Sequence, residues 1–162
     1  MASGDTLASF VPYDNEPTSS NYATLNQRNG HPILEFDDTT AESAVFTGRM
    51  PQNYANTTGI TVYVSALAVA TSGTMGWTVE LERMDSGTDE DADSFASAQT
   101  ITAASVPGTS GAPLELNVAI TKGANMDSVV AGDWFRLRLK RDVANDTAVG
   151  DVQFIGLEIR ET

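Results

Sequence analysis

Strict alternation of apolar and polar residues, repeated in several separate stretches, restricts what this chain can fold into. In Trp134-Phe135-Arg136-Leu137-Arg138-Leu139-Lys140, Phe135, Leu137 and Leu139 fall on one side while Arg136, Arg138 and Lys140 fall on the other. A period of two residues places alternate side chains on opposite faces of an extended backbone, so the segment reads as an antiparallel strand with one face buried and one in water. The same period recurs in Trp77-Thr78-Val79-Glu80-Leu81-Glu82, in Leu114-Glu115-Leu116-Asn117-Val118-Ala119-Ile120 and in Ile60-Thr61-Val62-Tyr63-Val64-Ser65. Strands are predicted at 32–36, 43–48, 59–70, 75–84, 97–102, 113–121, 132–141 and 151–160, with turn-forming connections such as Thr71-Ser72-Gly73-Thr74 between them. About eight antiparallel strands in two sheets is the count of a jelly roll, so the expected fold is all-β: a single-domain, jelly-roll-like β-sandwich. In the last strand Val152 and Phe154 are even-numbered while Ile155, Leu157 and Ile159 are odd. That slip of parity predicts a β-bulge near 154–156. One helical turn is expected at 123–130, with Asn125 or Asp127 as its cap and Met126, Val129 and Val130 covering an end of the sandwich.

Residues 1–24 read as an N-terminal arm ahead of the 25–162 sandwich domain. Its one apolar stretch, Leu7-Ala8-Ser9-Phe10-Val11, is followed by the coil and turn formers Pro12, Asn15, Pro17, Ser19 and Ser20. Such an arm is ordered only when docked, either on its own domain as a first strand or across a neighbouring subunit. Leu7, Phe10 and Val11 are therefore assembly-contact candidates.

The 162 residues suffice for one two-layer core, and with no cysteine the fold has to be stable from packing and backbone pairing alone. The opening Met1-Ala2-Ser3-Gly4-Asp5-Thr6 has no basic segment followed by an apolar one, and no apolar run is long enough to span a bilayer, so a soluble protein made without a secretory signal is expected. The net charge of −13, from 22 acidic and 9 basic residues, opposes contact with nucleic acid or anionic membranes.

Residues that could carry chemistry are sparse. His31 is the single histidine, so nucleophile triads and the usual zinc sites lack members; it reads as a hydrogen-bonding loop residue. Asp89, Asp91 and Asp93 alternate as in calcium loops, but the loop lacks the glycine and glutamate of an EF-hand and reads as a solvated hairpin tip, with weak calcium binding as the alternative. Asp37, Asp38 and Glu42 would serve a hydrolase only if they converged. Glu80, Glu82 and Glu158 are expected to pair with Arg136, Arg138 or Arg160 across strands. No phosphate-binding glycine motif opens a helix. The expectation is a non-enzyme with no catalytic residues, no cofactor and no metal. Trp134, opposite in parity to Phe135, is the best candidate for an exposed aromatic platform, either for a sugar or for a subunit interface.

Four segments, Arg28 to Asp37, Ala41 to Phe46, Trp77 to Arg83 and Arg141 to Thr147, resemble small jelly-roll structural proteins of tailed bacteriophages, a resemblance running from about Ala23 to Thr162. It implies a virion protein made in the host cytoplasm: a homotrimeric capsid decoration (cement) protein bound to the major capsid protein on the capsid surface. Leu7, Phe10, Val11 and Trp134 are then the contact candidates. The alternatives are a tail or fibre component, or a carbohydrate-binding module recognising host glycans.

Overall fold

A computed structural model describes residues 2–162. The strands are β1 (Thr6–Phe10), β2 (Thr24–Arg28), β3 (His31–Phe36), β4 (Ser43–Arg49), β5 (Gly59–Ala68), β6 (Thr74–Met84), β7 (Gln99–Ser105), β8 (Leu114–Thr121), β9 (Trp134–Arg141) and β10 (Val152–Glu161). They form a six-stranded antiparallel sheet, ordered β2-β3-β10-β5-β8 with β1 also paired to β10, and a four-stranded sheet ordered β4-β9-β6-β7. The alternating segments supply the interior. Phe135, Leu137 and Leu139 of β9 are buried, as are Val62, Val64 and Ala66 of β5, and the two inner faces interdigitate as in other sandwiches. Aromatic rings bridge the sheets: Phe36 meets Trp77 edge to face at 4.9 Å, and Phe46 lies 5.3 Å from Phe154. The result is the expected all-β jelly-roll sandwich.

The segment read as an arm belongs to the sandwich. Strand β1 pairs with β10, and Leu7 and Phe10 are buried in the chain's own core, Phe10 stacking on Phe46 at 5.4 Å and meeting Phe135 edge-on at 6.3 Å. Intramolecular docking satisfies both the apolar area and the strand edge, so Leu7 and Phe10 are not free to contact a neighbour. Val11, just past the strand, is 49% exposed. Strand β2, which begins at the last residue of the supposed arm, hydrogen-bonds to β3.

The bulge in β10 lies where the parity slip puts it, between Phe154 and Gly156. The helical turn is a single 3-10 turn, Ala124–Met126, with no side-chain cap; Asp127 instead accepts the Arg83 N–H at 2.7 Å. Met126 and Val129 are buried there as expected, while Val130 stays partly exposed.

A buried arginine ties one end of the sandwich together. Arg141, at the end of β9, meets Asp146 through Nε and Nη2 at 3.0 Å each, and its remaining N–H groups donate to the carbonyls of Phe36, Gly150 and Ala148 at 2.8–3.0 Å. Every donor of the guanidinium is matched, which is what makes its burial tolerable. Asp146→Asn leaves that charge without its counter-ion and is expected to cost about 3–5 kcal/mol, read as a lower urea midpoint. Phe10→Ala is expected to cost about 3–5 kcal/mol in the same assay; an arm made for a neighbouring subunit would leave the isolated protein's stability unchanged.

Candidate binding cleft

Hydrogen-bond geometry along β10 opens a cleft on the six-stranded sheet. Strand β3 pairs with β10 from Phe36↔Val152 to Leu34↔Phe154 and then stops. Arg28 and His31 close the two-residue Asn29-Gly30 turn, in which both residues have positive φ (+48° and +78°), the conformation that Asn-Gly favours. The pair flanking such a turn is hydrogen-bonded, so the next residue, Pro32, has its nitrogen on the β10 side, where it has no N–H to give. Beyond the bulge, β10 takes a new partner, β1, starting at Leu157↔Phe10. Between the end of β3 pairing and the start of β1 pairing lies a gap.

That gap is a cleft of about 510 Å³. Its lining is mostly apolar, from Val11, Pro12, Pro32, Leu67, Pro113 and Ile155, with polar groups from Arg28, Asn29, His31 and Ser110. Arg28 is fixed in place: Nη1 donates to Gln153 Oε1 at 2.7 Å and Nη2 to Ser110 Oγ at 2.9 Å. Gln153, itself buried, is oriented by donating through Nε2 to Glu35 at 3.1 Å, and Glu35 also accepts from Asn26 at 2.7 Å. Gly111 is needed beside this group, because a Cβ there would lie 2.6 Å from Arg28 Nη2. A second cleft of about 270 Å³ adjoins the first at Val11 and is lined by Ser9, Tyr63, Ser65, Glu115 and Glu158 among others. Tyr63 is covered there by Arg160, 4.3 Å above its ring and paired with Glu158 at 2.5 Å.

Other sequence candidates lie elsewhere. Trp134 is 51% exposed on the four-stranded sheet, between Arg49 and Met84, with the Arg49 guanidinium 5.9 Å from its ring centre. It is a real aromatic platform, but no part of the cleft. His31 begins β3 and lines the cleft.

The acidic loop folds back on the four-stranded sheet. Asp93 pairs with Arg136 at 2.9 Å and Arg138 at 3.6 Å, Ser94 donates twice to Glu82, and the Phe95 ring lies 4.1 Å beneath Arg138. Among the described residues no group of three or more His, Cys, Asp or Glu is placed to hold a metal ion. Two of the three predicted cross-strand pairs form, Glu80 with Arg138 at 2.5 Å and Glu82 with Arg136 at 2.8 Å, while Glu158 pairs instead with Arg160 along its own strand, β10.

Asp37, Asp38 and Glu42 gather at one end of the sandwich, but each carboxylate is spent on backbone. Asp37 accepts the Thr39 hydroxyl and the N–H groups of Thr39 and Thr40, which hold it down to about 2. Asp38 accepts Gly150 N–H at 2.6 Å and Glu42 accepts Asp37 N–H at 2.9 Å. None lines the cleft. Burial, then the carboxylates of Glu35 and Asp37, push Asp151 above its ordinary value of 3.8. An acid raised in the folded state is ionised at a cost to stability, present at neutral pH and gone once both states are protonated. Asp151→Asn should therefore raise the melting temperature at pH 7, with the gain vanishing as pH falls below about 3.8, measured by thermal unfolding across pH.

No family model matches the chain, and no curated protein matches it. Solved structures do. A family 35 carbohydrate-binding module from an environmental isolate aligns with a TM-score of 0.52 at 13% identity, over 95% of this chain and 90% of that one. A family 115 4-O-methyl-alpha-glucuronidase with specificity for decorated arabinogalactans aligns at 0.50 and 11% identity, over 99% of this chain and 18% of that enzyme. The shared feature is the jelly-roll fold. These similarities overturn the capsid-decoration reading: the two structures are those of a carbohydrate-binding module and a carbohydrate-active enzyme.

Proposed function

We propose that the chain is a non-catalytic carbohydrate-binding module whose site is the cleft beside β10. The observation that carries this reading is the lining of the cleft, largely apolar with a few polar side chains, one of them the hydrogen-bonded Arg28. A pyranose has apolar C–H faces and an equatorial belt of hydroxyls, and a concave site with a few fixed polar groups around an apolar base fits that amphipathic shape. Arg28, Asn29, His31 and Ser110 supply the polar groups; Leu67, Ile155 and the prolines supply the apolar surface. Support also comes from the fold, which is similar to that of a carbohydrate-binding module. The three acidic side chains with hydrolase potential are tied into a loop away from the cleft, which supports a role in binding without turnover.

Native affinity electrophoresis against a panel of soluble polysaccharides tests this. The wild-type protein is expected to be retarded by at least one. Leu67→Glu, which puts a charge in the cleft lining, should lower the affinity at least about tenfold, about 1.4 kcal/mol, while Trp134→Ala, on the opposite sheet, should bind as wild type. Loss of binding in Trp134→Ala with retention in Leu67→Glu would move the site to the four-stranded sheet and overturn the assignment.

A further inference from the structure

We infer that the cleft accepts an acidic sugar and that the carboxylate of that sugar is read by Arg28; the inference rests on the glycan reading above. The chain has 22 acidic against 9 basic residues, so a cation readily finds a carboxylate. Arg83, Arg136, Arg138, Arg141 and Arg160 each lie against one, at 2.5–3.0 Å, whereas among the described residues Arg28, Arg49, Lys122 and Lys140 do not, and of these four Arg28 is the one that lines the cleft. Arg28 is held differently. Its guanidinium donates to the neutral side chains Gln153 and Ser110, which orient it without cancelling its charge.

The surroundings preserve that state. Glu35 is the acid nearest along the hydrogen-bond chain, but both its oxygens are taken by side-chain amides, Oε1 by Gln153 and Oε2 by Asn26, so Gln153 stands between the acid and the arginine. Gly111 lets the guanidinium pack directly on the backbone, in the place a Cβ would take, which helps to hold it in position. The Nε–H and the second hydrogen of each terminal nitrogen are not used by the Gln153 and Ser110 bonds, and a guanidinium offers such donors as a planar fork matched to a carboxylate. A guanidinium fixed in advance loses little freedom on binding, so the contact is strong for its size.

The rest of the charge distribution narrows the ligand. Glu115 and Glu158 line the adjoining cleft, and the protein as a whole carries −13. A densely charged polymer would be repelled over most of its length. The ligand that fits is a largely neutral chain bearing isolated uronic-acid residues, one of which reaches Arg28.

The test is isothermal titration of the full chain with a polysaccharide carrying sparse uronic-acid branches, glucuronoxylan, and with the same polymer after methyl esterification of its carboxyls. Esterification is expected to weaken binding at least tenfold. Arg28→Gln should bind both forms alike, at the level of the esterified polymer, and Arg28→Lys should recover only part of the difference because it lacks the fork; unfolding curves of both variants confirm the fold. Polygalacturonate and chondroitin sulfate, as polyanions, should bind more weakly than glucuronoxylan. Equal affinity for native and esterified polymer overturns the acidic-sugar inference while leaving glycan binding standing. Failure of the wild type to bind these or any neutral polysaccharide overturns both.

Discussion

The backbone of β10 is paired along its length on one side and on the other everywhere but a short gap, and that gap shapes the binding face. On one side β5 runs alongside from Val152 to Glu161, interrupted by the bulge. On the other, β3 and β1 divide the strand between them. Two prolines mark the division: Pro32 has no N–H to offer towards β10, and Pro12 opens the 3-10 turn just beyond β1. The bulge sits at this changeover and leaves Ile155 unpaired with β5, so its side chain is free to line the cleft. Backbone pairing, with its obligatory accounting, thus determines where the sheet is open.

At the carboxylate-rich end the same accounting is done by side chains. The segment 142–150 forms no strand, yet its carbonyls at Ala148 and Gly150 turn inward and would be unmatched without Arg141. Asp146 neutralises that arginine, Asp38 accepts from Gly150, and the outcome is a loop as firmly tied as a strand. Many carboxylates in one place look like chemistry in the sequence, but here they close hydrogen bonds that the turns leave open.

Strands that bury one face were legible from their alternation, and the parity slip at Val152, Phe154 and Ile155 located the bulge. Strand β2 was not, because Thr24 to Gln27 are all exposed at a sheet edge, where no apolar period is imposed. The Asn29-Gly30 turn was the one local signal that a partner strand should precede His31. Phe10 carried the correct apolar signal, but sequence leaves open which core an apolar segment enters. The cleft itself was hidden, since Val11, Arg28, Leu67, Ser110 and Ile155 come from five separate stretches that only pairing brings together. Acidity, absence of cysteine and small size, which suited a virion protein, describe solubility and oxidation state and do not distinguish one soluble β-sandwich from another.

The cleft owes its existence to a missing donor and a change of strand partner, with its lining added on top. The side chains that face it, Leu67, Ser110 and His31 among them, contribute little to the pairing that keeps the sheet together. Their identity is therefore uncoupled from folding. A lineage of such chains can exchange them one at a time and drift from one ligand to another while the opening stays where the prolines put it, so recognition here can evolve faster than architecture.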